Sequence, residues 1–449
     1  MSVSPTASSP TGPTGGSAAS GSTGVSPSIV LSRRSRHAGE QPISVLMHAA
    51  LSNPDLISLA AGFVDQATLP VDTTRIAVER LLSDSARAHA ALQYGTTHGD
   101  VMLRTMLLSR LAKADGMQPG DVNRSVEQVV LTAGSNQLLS FVSDALLDEG
   151  DIVLCTAPTY FVYLGVLQNL NARAVGVEMD AYGMVPESLD ERLSMLAVAG
   201  ELPRVKAIYV VTYFDNPCGV TLALDRRAKI VEIAKRWSMD QRIYVLEDAA
   251  YRELRYDGPD LPSLASFDPA GDTVVYTQTF SKSFSPGVRV GWGFLPQPLV
   301  NPVCALKGNF DFGSPHFAQR LIATVISEGL FEPHVETLRT AYGAKASTML
   351  TALDEHLTGA RGVSWTRPTG GLYVWLTLPE SIDTSFAGPL FKKAIAAGVL
   401  YVPGDFCHPA EPNPPAKNTI RLSFGVQTPS RITQGIKILS EVIRELLAE

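Results

Sequence analysis

Thr277-Gln-Thr-Phe-Ser-Lys-Ser-Phe-Ser-Pro-Gly-Val-Arg-Val-Gly-Trp292 is the stretch on which the fold turns. The apolar run before it, Thr273-Val-Val-Tyr276, predicts a buried parallel strand. Hydroxyl residues then crowd around one lysine, Lys282; Pro286-Gly287 marks a turn, and Arg289 leads into a second β-branched segment. A lysine at a strand end, flanked by Thr279 and Ser281 with Arg289 close behind, suits Schiff-base chemistry with an aldehyde whose phosphate the neighbours hold. For Ser-Lys alone, a surface lysine in a polar loop is the plainer reading. The choice depends on whether the rest of the chain supplies the other parts of such a site.

On either side lies a run of βα units. Strands are predicted at Val129–Thr132, Ile152–Cys155, Ala174–Val177, Ala207–Thr212, Ile243–Leu246, Thr273–Tyr276 and Val288–Gly291, with helical spacing between, as at Leu138, Leu139, Val142, Ala145 and Leu146. This is the pattern of an α/β fold with a mostly parallel, seven-stranded sheet and helices on both faces. Beyond about residue 320 the character changes to a helical region from roughly His316 to His356, strand-like segments at Gly370–Trp375 and Thr419–Phe424, and a closing amphipathic helix through Ile432, Ile436, Leu439 and Ile443. The expected division is a disordered tail over 1–40, an N-terminal segment over 41–75 with a short helix from Ile43 to Leu51, a large domain over 76–318, and a smaller α+β domain over 319–449. The first 28 residues are almost all Ser, Thr, Pro, Gly and Ala, too polar to offset their ordering entropy.

With 449 residues the chain can bury substantial cores. A net charge of -7 argues against nucleic acid or an anionic membrane as the main partner. No apolar run approaches the ~18 residues needed to span a bilayer. The four cysteines are scattered, and neither they nor the histidines show metal-ligand spacing, so no metal site is expected. A cytoplasmic location follows most simply, with an organelle matrix as the alternative if the acid-free N-terminus is a transit peptide.

A pyridoxal phosphate (PLP) site needs a Schiff-base lysine, an acid facing the pyridine nitrogen, donors to the ring oxygen, a phosphate cradle and an anchor for the substrate carboxylate. Each has a candidate at a strand end, where open α/β sheets place ligands. Asp248 follows a buried strand and would keep the ring nitrogen protonated, with Tyr251 as a donor to the ring oxygen; an ordinary helix cap is an equal reading of that acid alone. Asn216, in Asp215-Asn-Pro-Cys-Gly219, offers a second donor, and Cys218 within that turn reads as a small packed residue. Gly134-Ser-Asn136 opens a helix whose free N–H groups suit a phosphate. Tyr160 could stack on the ring, although an aromatic in a loop is more often packing. Arg421 interrupts an apolar strand and requires a carboxylate from protein or substrate.

Taken in order from about Ile57 to the C-terminus, these motifs resemble the class I/II aminotransferases of PLP fold type I, nearest to the branch with 2-aminoadipate and kynurenine aminotransferases. The resemblance is carried by Gln93-Tyr94, Gly99, Ala133–Asn136, Pro158–Tyr160, Asn216–Gly219, Glu247–Tyr251, Phe280–Arg289, Pro368–Gly371, Pro403-Gly404 and Arg421–Phe424. It implies that Lys282 binds PLP covalently, that Asp248 meets the ring nitrogen, and that Asn216 and Tyr251 meet the ring oxygen. It further implies phosphate contacts from Ser135, Asn136, Thr279, Ser281 and Arg289, stacking by Tyr160, and substrate binding by Arg421, Asn216 and Gly62. A homodimer is also implied, with Tyr94 reaching the other subunit's site. The chain departs from the family pattern at Thr156, where an acid is usual, at Cys218, where Thr is usual, and at Gly62-Phe-Val64, which replaces Gly-x-Pro.

The expected reaction moves an amino group between an L-α-amino acid and a 2-oxo acid by a ping-pong route. One rival keeps the cofactor and changes the outcome to a β-lyase, decarboxylase or oxidase reaction. Another is a PLP-sensing transcription regulator, which would need a basic helix-turn-helix domain that the polar stretch before Ile43 does not offer.

Overall fold

The computed structural model describes residues 29–39, 44, 46, 53, 55–117 and 124–448. The tail up to residue 28, and all of the expected Ile43–Leu51 helix except residues 44 and 46, lie outside the described residues. Within the remainder of the expected tail, Arg33–His37 form a short helix capped by the Ser32 side chain, and Arg34 bonds Asp144 at 3.1 Å.

Chain order gives the strands β1 (Ile57–Ser58), β2 (Val129–Thr132), β3 (Ile152–Ala157), β4 (Arg173–Asp180), β5 (Gly183–Met184), β6 (Val205–Val211), β7 (Tyr244–Asp248), β8 (Val274–Thr279) and β9 (Gly291–Phe294). After them come β10 (Ser364–Trp365), β11 (Tyr373–Thr377), β12 (Val399–Leu400), β13 (Val402–Pro403) and β14 (Thr419–Ser423). The large sheet runs β2-β9-β8-β7-β6-β3-β4-β5. Its centre, β8-β7-β6-β3-β4, is parallel; β9 runs antiparallel between β2 and β8, and β5 is an antiparallel edge. All seven expected strands are present, and the eighth is the two-residue β5. Buried on both faces, β2, β7 and β9 show no polar alternation, as central α/β strands do not.

The last expected strand, Val288–Gly291, is displaced to Gly291–Phe294. Ser285 caps a 3-10 turn over Pro286–Val288, and Arg289 takes a left-handed backbone with φ 50°, so extended structure starts only beyond it. Likewise Lys282 stands in a one-turn helix, Phe280–Ser283, after β8. The region from His316 onward is two helices, His316–Ser327 and Phe331–Leu357, separated at Gly329 with φ 66°.

A second sheet, β10-β11-β14-β13, is antiparallel throughout. The Phe331–Leu357 helix packs against the closing helix Pro429–Ala448, which buries Ile432, Ile436, Leu439 and Ile443. β1 pairs in parallel with β12, so the segment near residue 57 lies beside the C-terminal elements. The loops after β6 and β7 reach the second sheet: Asn216 bonds Arg421 of β14, and the Tyr251 hydroxyl lies 3.2 Å from that of Tyr373 on β11.

Candidate active site

Strand register explains how the anion cradle forms. Gly291 stands opposite Thr132 on β2 and Thr279 on β8, so the helix start after β2 and the lysine turn after β8 flank one strand. A Cβ on Gly291 would lie 2.4 Å from the backbone nitrogen of Ser135, which is why that helix end can sit against β9. Arg289 spans the gap, donating to the Ala133 carbonyl at 2.8 Å and to the Ser281 hydroxyl at 3.3 Å. The Thr279 hydroxyl donates to Ser281 Oγ at 3.0 Å and accepts the Ser281 N–H at 3.2 Å. Ser135 begins the Ser135–Leu146 helix, and the buried side-chain oxygen of Asn136 has no partner among the described residues. Backbone N–H groups, hydroxyls, a turnable amide and a guanidinium therefore converge on one volume, the donor set that a phosphate takes.

Asp248 ends β7 and is buried. Its Oδ2 accepts from the Tyr209 hydroxyl at 3.0 Å and its Oδ1 from the Ala250 N–H at 3.1 Å. Burial pushes its carboxyl up to about 6 even against these two donors, so it is matched to a cationic group brought beside it. Lys282 Nζ donates to the Gly62 carbonyl at 2.7 Å. Burial above all, assisted by Arg421 and Arg289 and opposed by Tyr373, lowers its amine below the usual lysine range, toward the neutral nucleophile.

Arg421, on β14, is 1% exposed. It donates to the Asn216 side-chain oxygen at 2.8 Å and to the Ala60 carbonyl at 2.7 Å, and it lies 4.5 Å over the Tyr373 ring. Among the described residues no carboxylate pairs with it, and its Nε has no partner. The Asn216 amide nitrogen is thereby left as a donor. Tyr251 follows β7 with its hydroxyl 3.2 Å from that of Tyr373. Tyr160 sits at the start of the Phe161–Asn169 helix, close enough to Asp248 and Arg421 to feel both. Cys218 is buried, and burial raises its thiol, which keeps it unreactive.

Tyr94 stands apart from its own chain's site. It is 82% exposed and packs edge-on against Phe312 at 5.6 Å. Tyr209 and Tyr373 were not singled out from sequence. Both lie inside apolar strands, where tyrosine is an ordinary strand former, and only the pairing directs their hydroxyls at Asp248 and Tyr251.

Residues 54–439 match the family described as aminotransferase class I and II. The chain belongs to that family. It is an α/β aminotransferase of PLP fold type I, its cofactor is pyridoxal 5'-phosphate, and its reaction is transamination. The cradle, the buried carboxylate and the amine of Lys282 fit that cofactor's phosphate, ring nitrogen and aldehyde. Among its relatives, the aromatic-amino-acid aminotransferase 1 of Thermococcus litoralis is 34% identical over 394 residues, covering 87% of this chain and 88% of that protein. The 2-aminoadipate transaminase of Thermus thermophilus is 32% identical over 399 residues, covering 88% and 92%. The kynurenine aminotransferase of Pyrococcus horikoshii, solved in complex with PMP, KYN and KYA, superposes with a TM-score of 0.84 at 33% identity, covering 92% of this chain and 97% of that one. Among the described residues no helix is long and apolar enough to cross a membrane.

Proposed function

We propose that this aminotransferase works through Lys282, Asp248, Tyr251, Asn216 and Arg421, on an L-α-amino acid and a 2-oxo acid in alternation. Bound pyridoxal phosphate supplies a ring that takes up the negative charge left when the substrate's Cα proton departs. Asp248 keeps the ring nitrogen protonated. The Asn216 amide nitrogen and the Tyr251 hydroxyl would donate to the ring oxygen, and Tyr160 would stack on the ring. Ser135, Asn136, Thr279, Ser281 and Arg289 hold the phosphate. The carbonyl of Gly62, which accepts from Lys282, lies on the substrate side. With a substrate amine taking its place on the cofactor, Lys282 Nζ would be the base that takes up the substrate's Cα proton and the acid that returns it.

Arg421 is the observation that carries the reading. A guanidinium buried in an apolar strand without a carboxylate partner is costly, and a substrate carboxylate would complete it. Replacing Arg421→Lys is expected to raise KM for amino acids and lower kcat/KM by roughly 10²-fold or more, a loss of a few kcal/mol of charged hydrogen bonding. Primary amines that lack the carboxylate should lose little. Equal losses for both substrate types would refute the assignment. The donor panel begins with aromatic amino acids, 2-aminoadipate and kynurenine, after the relatives' names.

The working unit in this reading is a homodimer. The exposed cluster of Leu92, Tyr94, Phe310 and Phe312 supports it, since a second copy would cover that surface and bring Tyr94 to the other site. The two sheets support a division near residue 318 into a large and a small domain. The free state of all four cysteines supports a cytoplasmic location.

A further inference from the structure

We propose that Tyr373 is a positioning residue: it gives its phenolic hydrogen to Tyr251 and thereby sets how readily the nitrogen of Lys282, once linked to the cofactor, releases its proton. This inference rests on the placement of Tyr251 at the ring oxygen.

Tyr373 opens β11 opposite Ser423, two residues from Arg421 on the partner strand, so both side chains share a face and the guanidinium covers the tyrosine ring at 4.5 Å. Packing leaves Tyr373 only 1% exposed and fixes where its hydroxyl points. That hydroxyl is 3.2 Å from the Tyr251 hydroxyl, and among the described residues neither has another hydrogen-bond partner. It also fills the space beside Gly62, where a Cβ would come within 2.6 Å of it, and the Gly62 carbonyl accepts from Lys282. The second phenol is therefore built into the wall that holds the lysine.

Two hydroxyls at this separation share one hydrogen. If Tyr251 spends its own hydrogen on the ring oxygen, its oxygen must accept, and Tyr373 is the donor within reach. A phenol that accepts one hydrogen bond donates a stronger one. A stronger donor at the ring oxygen draws electron density from the adjacent nitrogen and lowers that nitrogen's hold on its proton. The other charged and titratable groups facing this cluster are Arg421 from β14, Arg289 from the turn after β8, Asp248 from β7, Tyr160 after β3 and Tyr342 from the Phe331–Leu357 helix. None of these donates a hydrogen bond to Tyr251.

The test compares four holoproteins: the parent, Tyr373→Phe, Tyr251→Phe and the double variant. Phenylalanine keeps the ring beneath Arg421. The absorbance of the bound cofactor is titrated with pH, and the midpoint at which its yellow, protonated form fades is recorded. Tyr373→Phe is expected to raise that midpoint by roughly half to one pH unit, the size of one net hydrogen bond. The same change in the Tyr251→Phe background is expected to add nothing. An unmoved midpoint in Tyr373→Phe, or an equal rise in both backgrounds, overturns the proposal. An unmoved midpoint in Tyr251→Phe also overturns it, and shows that the fault lies in placing Tyr251 at the ring oxygen.

Discussion

At the scale of single residues, Asp248 ties function to stability with a sign opposite to that of most carboxylates. Burial holds its carboxyl up to about 6 against an ordinary value of 3.8. Between these values the unfolded chain has released the proton while the folded chain keeps it. The folded state thus loses stability as pH rises through that window, by up to about 3 kcal/mol. Asp248→Asn in the cofactor-free protein should therefore be more stable than the parent at neutral pH and match it near pH ~4, measured by urea unfolding at both. The same variant should bind cofactor weakly, because the amide cannot balance a protonated ring nitrogen. Tyr209→Phe removes one of the two donors to Asp248 and should move the acidic limb of the pH–rate profile upward by about half a unit or more. Lys282, Asp248 and Asn216 stand out in sequence as charged or amide groups just past apolar runs, and Arg421 as a charge inside one. Tyr209 and Tyr373 do not, since a tyrosine within a strand carries no mark of what its hydroxyl meets.

At the scale of elements, sequence gave the strands their places but not their pairing. Thr132, Gly291 and Thr279 lie far apart along the chain, and only the insertion of β9 between β2 and β8 sets them side by side. The mistaken start of the last strand has the same origin. Val288 and Val290 read as extended, yet Pro286-Gly287 and the Ser285 cap hold a turn there that keeps Arg289 over the cradle. Gly291→Ala tests how closely that cradle is built. The added methyl meets the backbone of Gly134 and Ser135, and overpacking of this kind costs about 1–3 kcal/mol. Inorganic phosphate and cofactor should both bind roughly tenfold more weakly or worse by equilibrium titration, while the yellow holoprotein, once formed, keeps its pH midpoint.

At the scale of the whole molecule, the Arg421–Asn216 contact joins β14 of the second sheet to the loop after β6 of the first across 205 positions of sequence; in the proposed function it joins substrate recognition to cofactor chemistry. In the proposed homodimer, the exposed cluster around Tyr94 would extend this to a second copy. Phe312→Asp, which places a charge in that patch without touching the site, should shift the protein from dimer to monomer in sedimentation velocity and lower activity in proportion to the dimer lost. A variant that remained dimeric and fully active would put the second copy elsewhere.

The covalent role proposed for Lys282 is open to a direct test. Borohydride reduction of the holoprotein, followed by proteolysis and mass spectrometry, locates the covalently held cofactor. The expected result is a phosphopyridoxyl group on Lys282 alone, absent in Lys282→Ala. A label on another lysine, or a parent protein that takes up the cofactor and yields no labelled peptide after reduction, would contradict it.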